Sequence, residues 1–226
     1  MVALVRHRLP GRLQALLAGC YQLELDADIE RFLLTDRAAT SGLIDDPAAL
    51  PDEALLISEA DQTLDVTLFL DAELLERLAS TDPLQALDQD NLDDFCRVLE
   101  GVSHFVCLLW KASNARSVTQ LELEVQAEVD KYLSARLLLE SQSRAPVGDG
   151  ELTRRLFAGV RYREGLDSDQ LQRYRHANDL ALRFCRRLEQ RHPAPRMPGS
   201  MLQELRAFYR MPQADKLSHI NARQFD

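Results

Sequence analysis

Two pairs of ionisable side chains set the chemistry available to this sequence: Glu100 with His104, and Glu124 with Glu128, each pair four residues apart. On an α-helix that spacing puts both members on one face. Carboxylates and an imidazole projected inward from facing helices are the donors with which helical bundles hold divalent metals, because the ion relieves repulsion among the acids. Glu100, His104, Glu124 and Glu128 are therefore candidate ligands for zinc or manganese. The competing reading of the same residues is a core histidine hydrogen-bonded to a carboxylate, with Glu124 and Lys131 in exposed ion pairs.

The environment of each candidate follows from the helical wheel. Glu128 falls between Leu121, Tyr132 and Ala135 on an apolar stripe, where an unpaired carboxylate is costly to desolvate, so it needs a partner. Glu100 and His104 share the side of Asp93, Arg97 and Lys111, which faces solvent in the first half of that helix. From Val102 to Trp110 the helix is apolar almost all round, which predicts that His104 is buried between two layers, with Glu100, Glu124 or Glu128 as its partner. The segment Glu100-Gly101-Val102-Ser103-His104 departs from the HExxH pattern of zinc peptidases: Glu replaces the first His and Gly replaces the general base. Peptide hydrolysis by that route is disfavoured.

Other chemistries find less support. There is no Gly-x-Ser-x-Gly elbow and no Gly-rich loop between a strand and a helix, so neither an acyl-transfer nucleophile nor a nucleotide-phosphate seat is legible. Cys96, Cys107 and Cys185 lie in periodic apolar segments without CxxC spacing, as buried, reduced thiols do. Leu17-Ala18-Gly19-Cys20 matches the short motif before a lipidated cysteine, but Pro10, Gly11, Arg12 and Gln14 interrupt the apolar run a secretory signal requires. The expectation is a cytoplasmic protein with no membrane partner.

The elements that must position these residues follow from periodicity and caps. Leu13, Leu16 and Leu17 predict a helix over 11–20, and Ile29, Phe32 and Leu33 a second short amphipathic piece over 28–34. Residues 36–53 read as an irregular acidic loop. Residues 54–57 and 63–70 predict a β-hairpin around Glu59-Ala60-Asp61-Gln62, followed by a helix over 72–79 capped by Asp71. A long helix to about Ser113 carries Phe95, Leu99, Val102, Val106 and Leu109 on one stripe. A capping box at Ser117-Val118-Thr119-Gln120 opens a helix running to about Glu140, antiparallel to the last. After a linker at 141–150, helices are expected at 151–163, 168–191, 199–210 and beyond Pro212.

The fold class is α+β, predominantly α-helical: an acidic N-terminal region (1–90) bearing the small hairpin layer, and a helical body (91–226), as one continuous unit. At 226 residues, 46% hydrophobic and 28% charged, the chain has the balance of a globular protein. Charge is uneven: residues 1–100 hold 21 acids against 7 bases, net −14, and residues 101–226 hold 15 against 20, net +5. The favoured explanation is docking of one half on the other; the alternative is a pair of opposite-sign surfaces for partners. Arg154, Arg155, Arg175, Arg183, Arg186 and Arg187 form the basic surface that could meet a protein partner or nucleic-acid phosphates, although no reading motif accompanies them. Three functions follow in order: a non-catalytic protein-interaction or regulatory protein, acting on a partner or as a homo-oligomer; a metal-binding helical protein, extending to a metal-dependent hydrolase at the Glu/His helix pair; and nucleic-acid binding through the arginines.

Overall fold

The computed structural model describes residues 8–60, 63–142, 150–160, 162, 165–193 and 196–222. Asp61-Gln62 of the expected hairpin tip, residues 143–149 of the 141–150 linker, and residues 161 and 163 of the helix expected over 151–163 lie outside the described residues. The architecture is α+β and mostly helical, with one three-stranded sheet.

Helix α1 (Arg8–Tyr21) buries Leu13, Leu17 and Tyr21, one turn apart, against the rest of the core. Pro10 is tolerated because the first turn has no intrahelical partner for its missing N–H. The second amphipathic piece expected at 28–34 is instead a single 3₁₀ turn, Ile29–Arg31, capped by the Asp28 carboxylate, followed by strand β1 (Leu33–Leu34). Tertiary pairing decides this: β1 lies parallel to β3, with Leu33 opposite Leu68 and Leu34 opposite Phe69. The acidic loop contains two further 3₁₀ turns, Arg37–Gly42 and Pro47–Ala49, capped by Asp36 and Asp46. Two of its acids are therefore structural caps.

The hairpin forms as β2 (Glu53–Ala60) and β3 (Thr63–Leu70), antiparallel in the register Glu53 opposite Leu70 through Ala60 opposite Thr63. Strand order is β1-β3-β2, so β2 is an edge. Helix α2 (Ala72–Ser80) starts at Asp71, whose carboxylate accepts the Glu73 amide at 2.9 Å, and buries Leu74, Leu75 and Leu78. Helices α3 (Leu92–Ser113) and α4 (Gln120–Gln142) are antiparallel: Lys111 meets Glu122 near their junction, while Ser103 meets Asp130 and Glu100 meets Lys131 further along. The cap of α4 is Thr119, whose hydroxyl accepts the Glu122 amide at 3.1 Å, so the helix starts later than a Ser117 capping box would place it.

The remaining helices are α5 (Glu151–Phe157), α6 (Ser168–Arg191), α7 (Gly199–Arg210) and α8 (Gln213–Asn221). Helix α5 ends six residues before the expected 163, because Ala158 is extended and Gly159 takes a left-handed φ of 90°. The sheet packs on α3, α3 on α4, and α4 on α6, so α3 and α4 are covered on opposite sides; α1 crosses α3 and meets α7. One cluster of buried apolar side chains runs from Leu13 to Ile220. Among the described residues no helix is long and apolar enough to cross a membrane.

Gly101 sets how closely sheet and helix approach. A Cβ there would sit 2.7 Å from Glu53 Cγ and 2.9 Å from Leu68 Cδ1, distances that force one element to move. Gly101→Ala is expected to cost about 1–3 kcal/mol, as overpacking does. Urea denaturation checks this, and an unchanged midpoint would show that the sheet gives way freely.

Candidate metal centre

Four elements converge on His104. Glu100 and His104 come from α3, Glu124 from α4, Glu53 from the start of β2, and Arg173 of α6 closes the outer side. One ligand atom each from Glu100, His104 and Glu124 lies within 4.8 Å of the others. Two donors bound to a shared ion at about 2 Å each stand no more than about 4 Å apart. His104 Nε2 and Glu124 Oε2 meet this at 3.6 Å, while the set of three spans up to 4.8 Å.

The two imidazole nitrogens face different acids. Nε2 looks toward Glu124, while Nδ1 lies 3.9 Å from Glu53 Oε1. Neither distance is a hydrogen bond. Among the described residues, Glu53 Oε1 and His104 Nε2 are both shut off from solvent without a hydrogen-bond partner. Burial pulls the His104 pKa down, but the carboxylates of Glu124, Glu53 and Glu100 outweigh it and raise it to about 9. Burial, reinforced by the charge of Glu100, pushes Glu53 up to about 8.

Glu128 plays a different part from the one its spacing predicts. Lys131 Nζ donates to Glu100 Oε2 at 2.7 Å and to Glu128 Oε1 at 2.9 Å. Glu128 is thus the second carboxylate of a lysine bridge, and the converging group is Glu100, His104 and Glu124. Burial would raise Glu100, but the Lys131 ammonium prevails and holds its carboxyl below the usual range. At Glu128 burial prevails over Lys131, and the pKa is raised. The expected exposed pairs of Glu124 and Lys131 are not found: both residues are buried, because α6 covers the face the wheel left open. Lys111, placed on the solvent side by the same wheel, is 2% exposed and bonded to Glu122.

Glu53 escaped the sequence reading, since it lies in the run taken as a loop and is remote from α3 in the chain. Gly101 is the signal that bears on it. Where the HExxH pattern would carry a glutamate on the helix, this chain has no side chain, and the carboxylate arrives from the sheet across the gap.

A second polar centre was also missed. Asp130 accepts hydrogen bonds from Tyr21 OH at 2.5 Å, Ser103 Oγ at 2.6 Å and Gln126 Nε2 at 2.8 Å. Gln126 Oε1 accepts from Lys216 Nζ at 3.0 Å, and Lys216 with Lys111 neutralises Glu122. This chain ties α1, α3, α4 and α8 together. Its trace in the sequence is the alternation Glu122, Glu124, Gln126, Glu128, Asp130, which scatters polar groups around the whole of α4 and suits a helix enclosed on all sides.

The arginines divide. Arg187 donates to the carbonyls of His219 and Ala222 and is bonded to that of Ile220; Arg183 bonds Asn221, and Arg155 pairs with Glu151. Arg183 and Arg187 thus fasten α8 to α6. Arg154, Arg175 and Arg186 are exposed. The thiols of buried Cys107 and half-buried Cys96 are poor nucleophiles: desolvation raises Cys107 to about 11 and Cys96 to about 12.

Fold and site together define an α+β protein with a carboxylate and imidazole centre enclosed by a sheet and three helices. No family model matches the chain, and neither a curated protein nor a solved structure matches it.

Proposed function

We propose that this is a divalent-metal-binding protein, with Glu100, His104 and Glu124 as ligands and Glu53 orienting the imidazole from its other nitrogen. The observation that carries this reading is a pair of orphaned buried atoms on the two sides of the imidazole: His104 Nε2, 3.6 Å from Glu124 Oε2, and Glu53 Oε1, 3.9 Å from Nδ1. A buried polar atom without a partner costs about 1–3 kcal/mol. An ion at Nε2, with a carboxylate facing Nδ1, is the arrangement by which metal-bound histidines are oriented, and it gives the orphaned Nε2 its partner. The charge balance agrees: Lys131 bridges Glu100 and Glu128, and Arg173 stands 4.0 Å from Glu124, with Arg97 acting on Glu100 from further off, so among the described residues four acids, Glu53, Glu100, Glu124 and Glu128, meet fewer permanent cations. One nitrogen and several oxygens suit manganese or zinc.

Calorimetric titration of untagged, metal-stripped protein with manganese and with zinc tests this. One equivalent is expected to bind, with affinity lowered at least about 100-fold in Glu124→Gln and in His104→Gln, corresponding to about 3 kcal/mol. Glu128→Gln is expected to bind within a few-fold of the parent. Absence of uptake, or equal uptake by folded His104→Gln, overturns the reading.

A protein-interaction role is favoured by a separate observation, the outer edge of β2. No other strand of the described residues pairs with that edge, and Ile57 (47% exposed) and Leu64 (37%) are neighbours on one face of the hairpin. Glu59 lies on the same face, opposite Leu64, and Asp65 on the other, so the occupant that fits is a basic extended segment of another protein, added as a further strand. Ile57→Lys is expected to abolish capture of such a partner without altering stability. Light scattering that shows a dimer through this edge would assign it to a second copy instead.

A further inference from the structure

The metal site has a neighbour. A cleft of about 270 Å³ opens between α4 and α6, lined by Leu121, Asp169, Gln172, Arg173 and His176. Arg173 links the two: its Nε lies 4.0 Å from Glu124 Oε1, while the other oxygen of that carboxylate faces His104. Glu124 thus stands between His104 and Arg173.

We propose that the cleft admits a small ligand bearing an oxyanion, a carboxylate or phosphate, which Arg173 holds beside the ion. This rests on the metal reading. Were Arg173 present only to neutralise Glu124, its guanidinium would close to hydrogen-bond distance. It stops at 4.0 Å, and its buried Nε has no hydrogen-bond partner among the described residues. The side chain remains about a quarter exposed, and its guanidinium lies over the Tyr174 ring, 5.7 Å from the centroid.

A planar guanidinium with free donors matches the paired oxygens of a carboxylate or phosphate. Gln172 and His176 line the same cleft and add polar contacts. Asp169, also in the lining, repels an anion and accepts from a hydroxyl or ammonium, so it orients the ligand with its oxyanion toward Arg173. The volume falls below the usual range for drug-sized ligands, which points to a compact molecule and not a polymer.

The test uses inorganic phosphate and acetate as probes on the full chain loaded with manganese. Affinity is read by calorimetry, and phosphate proximity by broadening of its phosphorus resonance. The parent is expected to bind at least one probe, and Arg173→Gln to weaken it by about ten-fold or more. Manganese affinity is measured on the same variant, so that any change at Glu124 is separated from loss of the probe, and Arg186→Gln, at an exposed arginine elsewhere on α6, should have no effect. If manganese binds but neither probe does, or if Arg173→Gln binds the probe as the parent does, the proposal is overturned while the metal reading stands. If manganese is not taken up, the metal reading fails by itself. The calorimetric comparison on metal-free protein then decides the role of Arg173: binding lost in Arg173→Gln supports it, and unaltered or absent binding overturns it.

Discussion

Lys131→Met is expected to destabilise the protein by about 3–5 kcal/mol at pH 8, the range found when one partner of a buried ion pair is removed. The side chain is only 11% exposed and its ammonium donates to both Glu100 and Glu128. Methionine keeps the volume and removes the charge, leaving Glu100 and Glu128 without their ammonium partner beside Glu53 and Glu124. Those acids respond by taking up protons, so the loss should be smaller at pH 5 than at pH 8. Urea denaturation at both values measures it. The triple variant carrying Glu100→Gln and Glu128→Gln in addition should recover most of the difference, since the orphaned charges are then gone. Manganese should rescue Lys131→Met more than the parent if the ion occupies the proposed place. A loss under about 1 kcal/mol at pH 8 would mean that the lysine bridge is solvated and the centre is not a low-dielectric one.

The second large effect is alkaline destabilisation of the metal-free protein. His104 titrates at about 9 in the fold against 6.5 for a free imidazole. Its contribution is fully present below pH 6.5 and is lost as pH rises through 9. At about 1.4 kcal/mol per unit this is on the order of 3 kcal/mol. Glu53 acts in the same direction: its pKa is raised from 4.5 to about 8, so its contribution is present below pH 4.5 and lost as pH climbs through 8. Asp130, raised by burial from 3.8 to about 6 despite three donated hydrogen bonds, loses its share earlier, between about pH 4 and 6. Stability should therefore fall from mildly acidic pH toward pH 9, most steeply above neutrality. Denaturation curves at pH 6, 7.5 and 9 read this out. His104→Gln should remove the part between 6.5 and 9, and a parent profile flat over that interval would contradict the buried charged imidazole.

Much of the scaffold was legible because local signals carried it. Leu13, Leu17 and Tyr21 mark α1 by spacing, Asp71 marks the start of α2, and the alternation of Val66, Leu68 and Leu70 marks β3. The short strand β1 was not legible, since two residues become a strand only by pairing with β3. The wheel placed Glu100 and Lys111 toward solvent on α3, while the apolar 102–110 run predicted burial of His104; the wheel holds no trace of the sheet that packs against Gly101 or of Glu122 on α4 that meets Lys111. For α4 the wheel predicted one buried stripe; in the fold Glu122, Glu124, Gln126, Asp130 and Lys131 are all buried, because α3 and α6 enclose the helix from opposite sides.

Taken alone, the sequence determined that Glu100 with His104, and Glu124 with Glu128, stand on helix faces, because the α-helical period is a local property. It also determined that the 102–110 segment, apolar almost all round, had to be covered. Which acids would meet the imidazole was decided only by tertiary packing, which brings residues distant in the chain within a few ångströms. Packing put Glu53 against one ring nitrogen and Glu124 against the other, and gave Glu128 to Lys131.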